Sequence, residues 1–246
     1  MGKVFKIFLV ATLRDKLTMF WSVLFPIALL LILGQFIDSS RYHRQLLGTV
    51  TGMGILFLGL YTIGFEVLMN RKAGIYKLLR ITPFRSWQLM IASCLSKTFF
   101  VLISSYLTIL IGAFVFDVRV NPSGVLFLLP VLFLGTLGFM FLGFTIGNLA
   151  RLEPQVNVLA NLIGMPMLFI SNGYYNISNG PVLFERLAKI NPFEHFIRLI
   201  SMFIRGDFSG IWSPLSVIVL FTILSIFPAV LTFRWDPEQP FRLNVR

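Results

Sequence analysis

The chain has 246 residues and a formal net charge of +11, yet only 13% of its residues are charged, 57% are apolar and 27 are phenylalanine. Soluble domains carry about a quarter charged residues, so this composition and the mean hydropathy of +0.84 exclude an ordinary soluble fold. The single cysteine, Cys94, excludes a disulfide within the chain, and no Cys/His spacing suits a metal site.

Taken in chain order, residues 3–16 mix basic and apolar side chains and are expected to form an interfacial helix on the inner leaflet. A run of 21 uncharged residues then separates Lys16 from Asp38. A membrane-crossing helix needs about 20 apolar residues, so a first span is expected over about 17–37. It is too long for the apolar core of a cleaved signal, and no small-residue cleavage site follows at Gln35–Ser39. Pro26 inside it is tolerated if neighbours cover the freed carbonyl.

The second span, about 48–69, is rich in glycine (Gly48, Gly52, Gly54, Gly59, Gly64), which lets helix backbones approach closely in lipid. Glu66 lies near its inner end, either at the interface paired with Arg71 or Lys72, or in a buried ion pair that reports on gating. The segment Arg71–Trp87, RKAGIYKLLRITPFRSW, holds five basic residues and no acidic one. It begins like a helix, with Ile75, Leu78 and Leu79 on one face and Lys77 and Arg80 on another, and stops at Thr82-Pro83.

The third span is expected over about 98–116, with Lys97 at its cytoplasmic flank and Cys94 as a small packing residue near its start. The fourth, about 124–147, carries Gly135, Gly138, Gly143 and Gly147, the last two a small-xxx-small pair for helix packing. The fifth, about 154–171, ends at the breaker cluster Ser171-Asn172-Gly173. Residues 172–208 are not an ordinary loop. Val182–Ile190 has helical apolar spacing, Asn191-Pro192 interrupts it, and Phe193–Arg205 is amphipathic, which predicts a re-entrant helical hairpin in the outer leaflet. The sixth span is expected over about 211–233. The fold class is therefore an all-α membrane protein of six transmembrane helices, a single domain over 1–246. No strand-like alternation supports a barrel.

Charge distribution orients the bundle. With the N-terminus in the cytoplasm, the inner segments hold fourteen Lys and Arg and the outer segments seven. Arginine and lysine accumulate on the cytoplasmic side, so both termini are expected inside. The same rule accounts for the basic charge through membrane lipids, without a nucleic-acid partner. Motifs for catalysis are missing: there is no phosphate-binding G-x-x-x-x-G-K-[ST], no H-E-x-x-H and no G-x-S-x-G. His43 and His195 fall outside the predicted membrane core and far apart in sequence. Coupled secondary transport places several ionisable groups at the midplane, and this chain has almost none. If the chain moves a substrate uphill, the energy is expected to come from another chain.

Two ordered blocks carry a family resemblance. One is the basic segment Gly74-Ile75-Tyr76-Lys77-Leu78-Leu79-Arg80-Ile81-Thr82-Pro83, followed by Lys97. The other is Pro166, Ser171-Asn172-Gly173-Tyr174-Tyr175, Pro181 and Asn191-Pro192-Phe193-Glu194-His195. Together with the basic N-terminal segment, they resemble a permease subunit of the ABC-2 type, the membrane half of an ATP-binding-cassette exporter. Asn70 and Lys72 stand where the family often has acidic residues, and Arg198 or Arg205 stands where it tends to place a later polar one.

The resemblance implies a dimer with an identical or homologous permease subunit, engaged by a dimer of cytoplasmic ABC ATPase subunits. ATP and magnesium would be bound by that partner, with no cofactor in this chain. It assigns Arg71, Lys72, Gly74, Lys77, Leu78, Arg80, Thr82 and Pro83 to ATPase coupling, the bland alternative being lipid anchoring alone. It places a translocation path along spans two and five, with Phe57, Tyr61, Phe65, Asn157, Asn161, Met165 and Phe169 as candidates; the two asparagines either line it or bond across the dimer. Gly173, Pro181, Pro192 and His195 mark the re-entrant region. The expected function is export of a lipophilic or amphipathic compound (a drug, antibiotic or lipid) across the plasma membrane. The alternatives are a polysaccharide or glycolipid export permease and a non-transporting membrane anchor or assembly factor.

The orientation is testable by cysteine labelling in intact cells: a probe at Ser86 should react only from inside and one at Ser178 only from outside, and the reverse pattern would overturn it.

Overall fold

The computed structural model describes residues 19–37, 39–76, 86–173 and 181–233. The expected interfacial segment 3–16, positions 77–85 of the basic segment and the tail from 234 lie outside the described residues. Among the described residues the chain is helical with no strand. Helix α1 comprises a π turn, Phe20–Leu24, and an α-helix, Phe25–Gly34. Helix α2 is Ser40–Lys72, α3 is Ser86–Val115, α4 is Pro122–Phe127 and α5 is Leu129–Leu149. Helix α6 is Glu153–Phe169, α7 is Val182–Ala188, α8 is Pro192–Arg205 and α9 is Trp212–Leu231. Among the described residues, four stretches are long and apolar enough to cross a membrane: Ser40–Lys72, Ser93–Val115, Pro122–Leu149 and Trp212–Leu231.

Two boundaries differ from the sequence expectation. The second span begins at Ser40 rather than 48 and runs for 33 residues, so the polar stretch expected as an outer loop is its first two turns. The third helix begins at Ser86 rather than 98, which moves Lys97 from a flank to the helix interior. In both places local helix propensity and packing carried the helix past the apolar run, because polar residues at a helix end need only face a partner or water.

Helix α2 is the axis of the bundle. Of its most apolar 18-residue window, 94% is buried inside the protein. Helices in lipid gain no hydrophobic drive from meeting each other, so their contact rests on close packing and interhelical hydrogen bonds. Glycines supply the closeness. Gly143 of α5 lies directly on the backbone carbonyl of Gly59 in α2, and Gly147 on that of Gly64. The two helices therefore run parallel with backbones in contact. Gly59 also abuts Phe139, whose ring packs among Phe193, Phe196 and Phe221. A π turn, Leu58–Thr62, interrupts α2 at this contact; the Ile63 N–H donates to the Leu58 carbonyl. Such turns are rare and insert one extra residue into the helix.

Helix α5 continues onto α9, where Thr222 Oγ1 donates to the Leu134 carbonyl at 3.1 Å. Helix α8 is amphipathic, as its sequence indicated, but it lies in the bundle: Phe193, Phe196, Leu199, Ile200 and Ile204 are all buried. It packs on α2 where Gly48 and Gly52 admit Ser201 and Ile197. Cys94 is fully buried, as expected of a packing residue.

Replacing Gly143 by Leu should destabilise the protein by about 1–3 kcal/mol, the usual cost of overpacking, because its Cβ meets rigid backbone. Ile223→Leu on the exposed face of α9 should stay within about 0.5 kcal/mol. Unfolding in mixed micelles monitored by circular dichroism checks both, and equal stability of the two variants would refute the contact.

Candidate functional site

The lower end of α2 is a buried polar junction. Arg71, in its last turn, is only 3% exposed. Its guanidinium donates from Nη1 to the Asn148 carbonyl at 2.8 Å and from Nη2 to the Ala150 carbonyl. These carbonyls end α5, which has no further turn to satisfy them, and a cation there also meets the negative end of the helix dipole. The Asn148 side chain extends the junction, donating from Nδ2 to the Ala229 carbonyl at 3.1 Å and to Thr232 Oγ1 at 3.3 Å. One arginine and one asparagine thus tie together the ends of α2, α5 and α9.

One turn back, Glu66 Oε2 lies 2.5 Å from Lys97 Nζ. The Lys97 side chain is 4% exposed and that of Glu66 23%. The partner of Glu66 is Lys97 of α3, which neither reading drawn from sequence named. Arg71 turns instead to the end of α5, and Lys72 lies 3.8 Å from Glu153 at the start of α6, in an exposed pair worth little by itself. Proximity in sequence suggested Arg71 and Lys72; the early start of α3 placed Lys97 opposite.

Gly74 ends α2 with φ +72, a left-handed conformation open to glycine at no steric cost, while the Ala73 N–H donates to the Met69 carbonyl at 2.9 Å. The chain resumes helical geometry at Ile75 and Tyr76. Ile75 is exposed, whereas Tyr76 is buried with its ring 5.3 Å from that of Phe233 beyond α9. Burial first, and the nearby Glu66 carboxylate second, push the Tyr76 phenol up, so it remains a neutral hydroxyl. Of the predicted coupling residues, Arg71 is therefore an inward-facing anchor and not part of a contact surface. Lys72 and Gly74 reach the surface, and Lys77, Leu78, Arg80, Thr82 and Pro83 lie outside the described residues.

Of the predicted path residues, Phe57 and Tyr61 are buried, Phe57 edge-on to Phe25 at 5.8 Å. Tyr61 donates its hydroxyl to Asn161 Oδ1 at 2.7 Å, which joins α2 to α6, the two segments the sequence paired. Asn161 Nδ2 donates back to the Asn157 carbonyl at 2.9 Å. Asn157, Asn161 and Phe169 are exposed on α6, and Met165 and Phe65 are half-buried.

At the opposite end, the breaker cluster is clamped. Glu194 accepts from the Asn172 N–H at 2.6 Å and from its Nδ2 at 2.9 Å. Asn191 caps two helices at once: Oδ1 accepts from the Phe193 N–H, and Nδ2 donates to the Met167 and Ile170 carbonyls at the end of α6. Gly173 is buried with its carbonyl 3.0 Å from Thr49 Oγ1. His195 is buried within the protein, and its Nε2 lies 2.8 Å from the Lys189 carbonyl. Pro192 occupies the first turn of α8 and Pro181 precedes α7 at the surface. The roles of Asn148 and Asn191 were missed in the sequence; a lone Asn at the end of an apolar run, or before a proline, was the available signal.

Long apolar helices, joined by buried polar groups at their ends, define a multi-pass membrane protein. The chain belongs to the ABC-2 type transporter family, which matches residues 4–204. It is 22% identical over 222 residues to "Putative transport permease YvfS" of Bacillus subtilis (strain 168), covering 86% of this chain and 88% of that one. It is 27% identical over 146 residues to "Inner membrane transport permease YhhJ" of Escherichia coli (strain K12), covering 59% of this chain and 39% of that relative.

The ion pair gives a direct test. Lys97→Met should cost about 3 kcal/mol by leaving Glu66 uncompensated, and Glu66→Gln combined with Lys97→Met should recover most of it. Additive losses in micellar unfolding would show that the two groups are not coupled.

Proposed function

We propose that the chain is the permease subunit of an ABC exporter, spanning the membrane six times with α1 and α6 as the two further spans and both termini cytoplasmic. A separate dimer of ABC ATPases supplies the energy and binds ATP and magnesium. The observation that carries this reading is the continuity between the basic segment and α2. The described part of that segment, residues 71–76, leaves directly from the most buried helix, and there Arg71 and Tyr76 fasten it to the end of α5 and to Phe233 beyond α9. A push on such a segment is transmitted to the bundle rather than absorbed by a loop.

On this reading α6 faces a second permease subunit around the path. Its surface sets Asn157 and Asn161 beside Val158, Leu162 and Phe169, an amphipathic lining suited to a lipophilic or amphipathic cargo, with Phe57 as packing behind it. Helices α7 and α8 form the hairpin that enters from the outer side. The amphipathic α6 surface favours this cargo class over a polysaccharide.

Leu78→Asp or Arg80→Glu should leave membrane insertion intact and abolish stimulation of ATPase activity by cargo in proteoliposomes. Unchanged stimulation would sink the coupling assignment, and failure of any ATPase to co-purify in mild detergent would return the chain to the membrane-anchor reading.

A further inference from the structure

A cavity lies at the upper end of α2. It holds about 680 Å³ between the first three turns of α2, one stripe of α8 and Asn172. Four guanidinium groups line it: Arg41 and Arg44 from α2, Arg198 and Arg205 from α8. Among the described residues, Glu194 is the one carboxylate in its wall, and both its oxygens are already engaged by Asn172. No acidic side chain among the described residues forms an ion pair with any of the four arginines. Arg205 is steadied along α8 by a 3.2 Å bond from Nε to the Ser201 carbonyl. Gly48 admits Ser201 just below, so the two helices meet at the floor and diverge above it.

This arrangement runs against the charge rule that governs the rest of the chain. In the proposed orientation only seven Lys and Arg lie on the outer side, and four of them converge here from segments about 150 residues apart in sequence. Lys189, by contrast, faces Glu185 at 3.7 Å in an ordinary surface pair. Four like charges in one concavity repel each other and raise the local concentration of anions. Among the described residues, Ile197 is the one wholly apolar side chain in the wall, and the remaining side chains all carry polar groups. Guanidinium forks match the oxygens of a phosphate better than a single point charge does. The volume falls within the range of about 300–1,000 Å³ typical of small-molecule sites, which leaves room for a group esterified to the phosphate.

We propose that the pocket bounded by Arg41, Arg44, Arg198 and Arg205 binds a phosphate group, borne either by an anionic phospholipid headgroup or by a free phosphate. Its location outside the cell rests on the orientation proposed above; the binding itself does not.

The test uses the full chain, purified without any ATPase in neutral detergent, so that its result is independent of transport. Native mass spectrometry measures retention of phosphatidylglycerol against phosphatidylcholine, and equilibrium dialysis with radiolabelled orthophosphate measures binding of the free ion. The variant Arg41→Gln/Arg198→Gln changes two exposed side chains and should preserve the fold, checked by circular dichroism. It should weaken binding by about tenfold or more, equivalent to about 1.4 kcal/mol, while Arg186→Gln/Lys189→Gln leaves it unchanged. Selective phosphatidylglycerol retention assigns the site to a lipid headgroup; saturable orthophosphate binding without lipid preference assigns it to a soluble phosphate. Absence of both, or equal loss in the two double variants, overturns the proposal.

Discussion

A buried guanidinium with two carbonyl acceptors is the constraint on which the lower half of this protein depends. Within lipid, a backbone carbonyl without a partner costs several kcal/mol, and a helix ending inside the protein presents several of them. Arg71 answers that need for α5 from the last turn of α2. Because the arginine is itself buried, neither helix can shift without exposing a charge or a set of carbonyls. Asn148 extends the same constraint to α9. The result is three helix ends that behave as one piece.

The middle of the bundle is held differently. There the contact between α2 and α5 is steric, set by glycines that bring backbone against backbone. Packing of this kind is intolerant of added volume but carries no directional bond. The polar junction at one end and the Asn172–Glu194 and Asn191 clamps at the other fix the helices against sliding. The glycine seam fixes their distance.

Much of this was legible in the sequence, and the exceptions have physical causes. Apolar runs announced the long helices, and Gly143 and Gly147 announced a close contact whose partners are Gly59 and Gly64. The two short helices on either side of Asn191-Pro192 were visible as well. What the pattern hid was the direction of charged side chains. Arg71 looked like one member of a basic surface, since counting charges near a span end says nothing about which way each points. Lys97 looked like a flank because a charge-free run was taken as the helix, whereas α3 extends two and a half turns or more before it. The burial of α8 was hidden because an amphipathic pattern looks alike against lipid and against protein.

The π turn at Leu58–Thr62 has a consequence for how α2 addresses its two ends. An α-helix advances about 100° per residue, so one extra residue offsets everything above the turn from everything below by roughly that angle. Above it, Thr49 is aimed at the Gly173 carbonyl; below it, Arg71 is aimed at the end of α5. In an uninterrupted α-helix these two bearings would be locked to a single phase, and satisfying one would misdirect the other. The inserted residue gives each half its own rotational setting on a common axis.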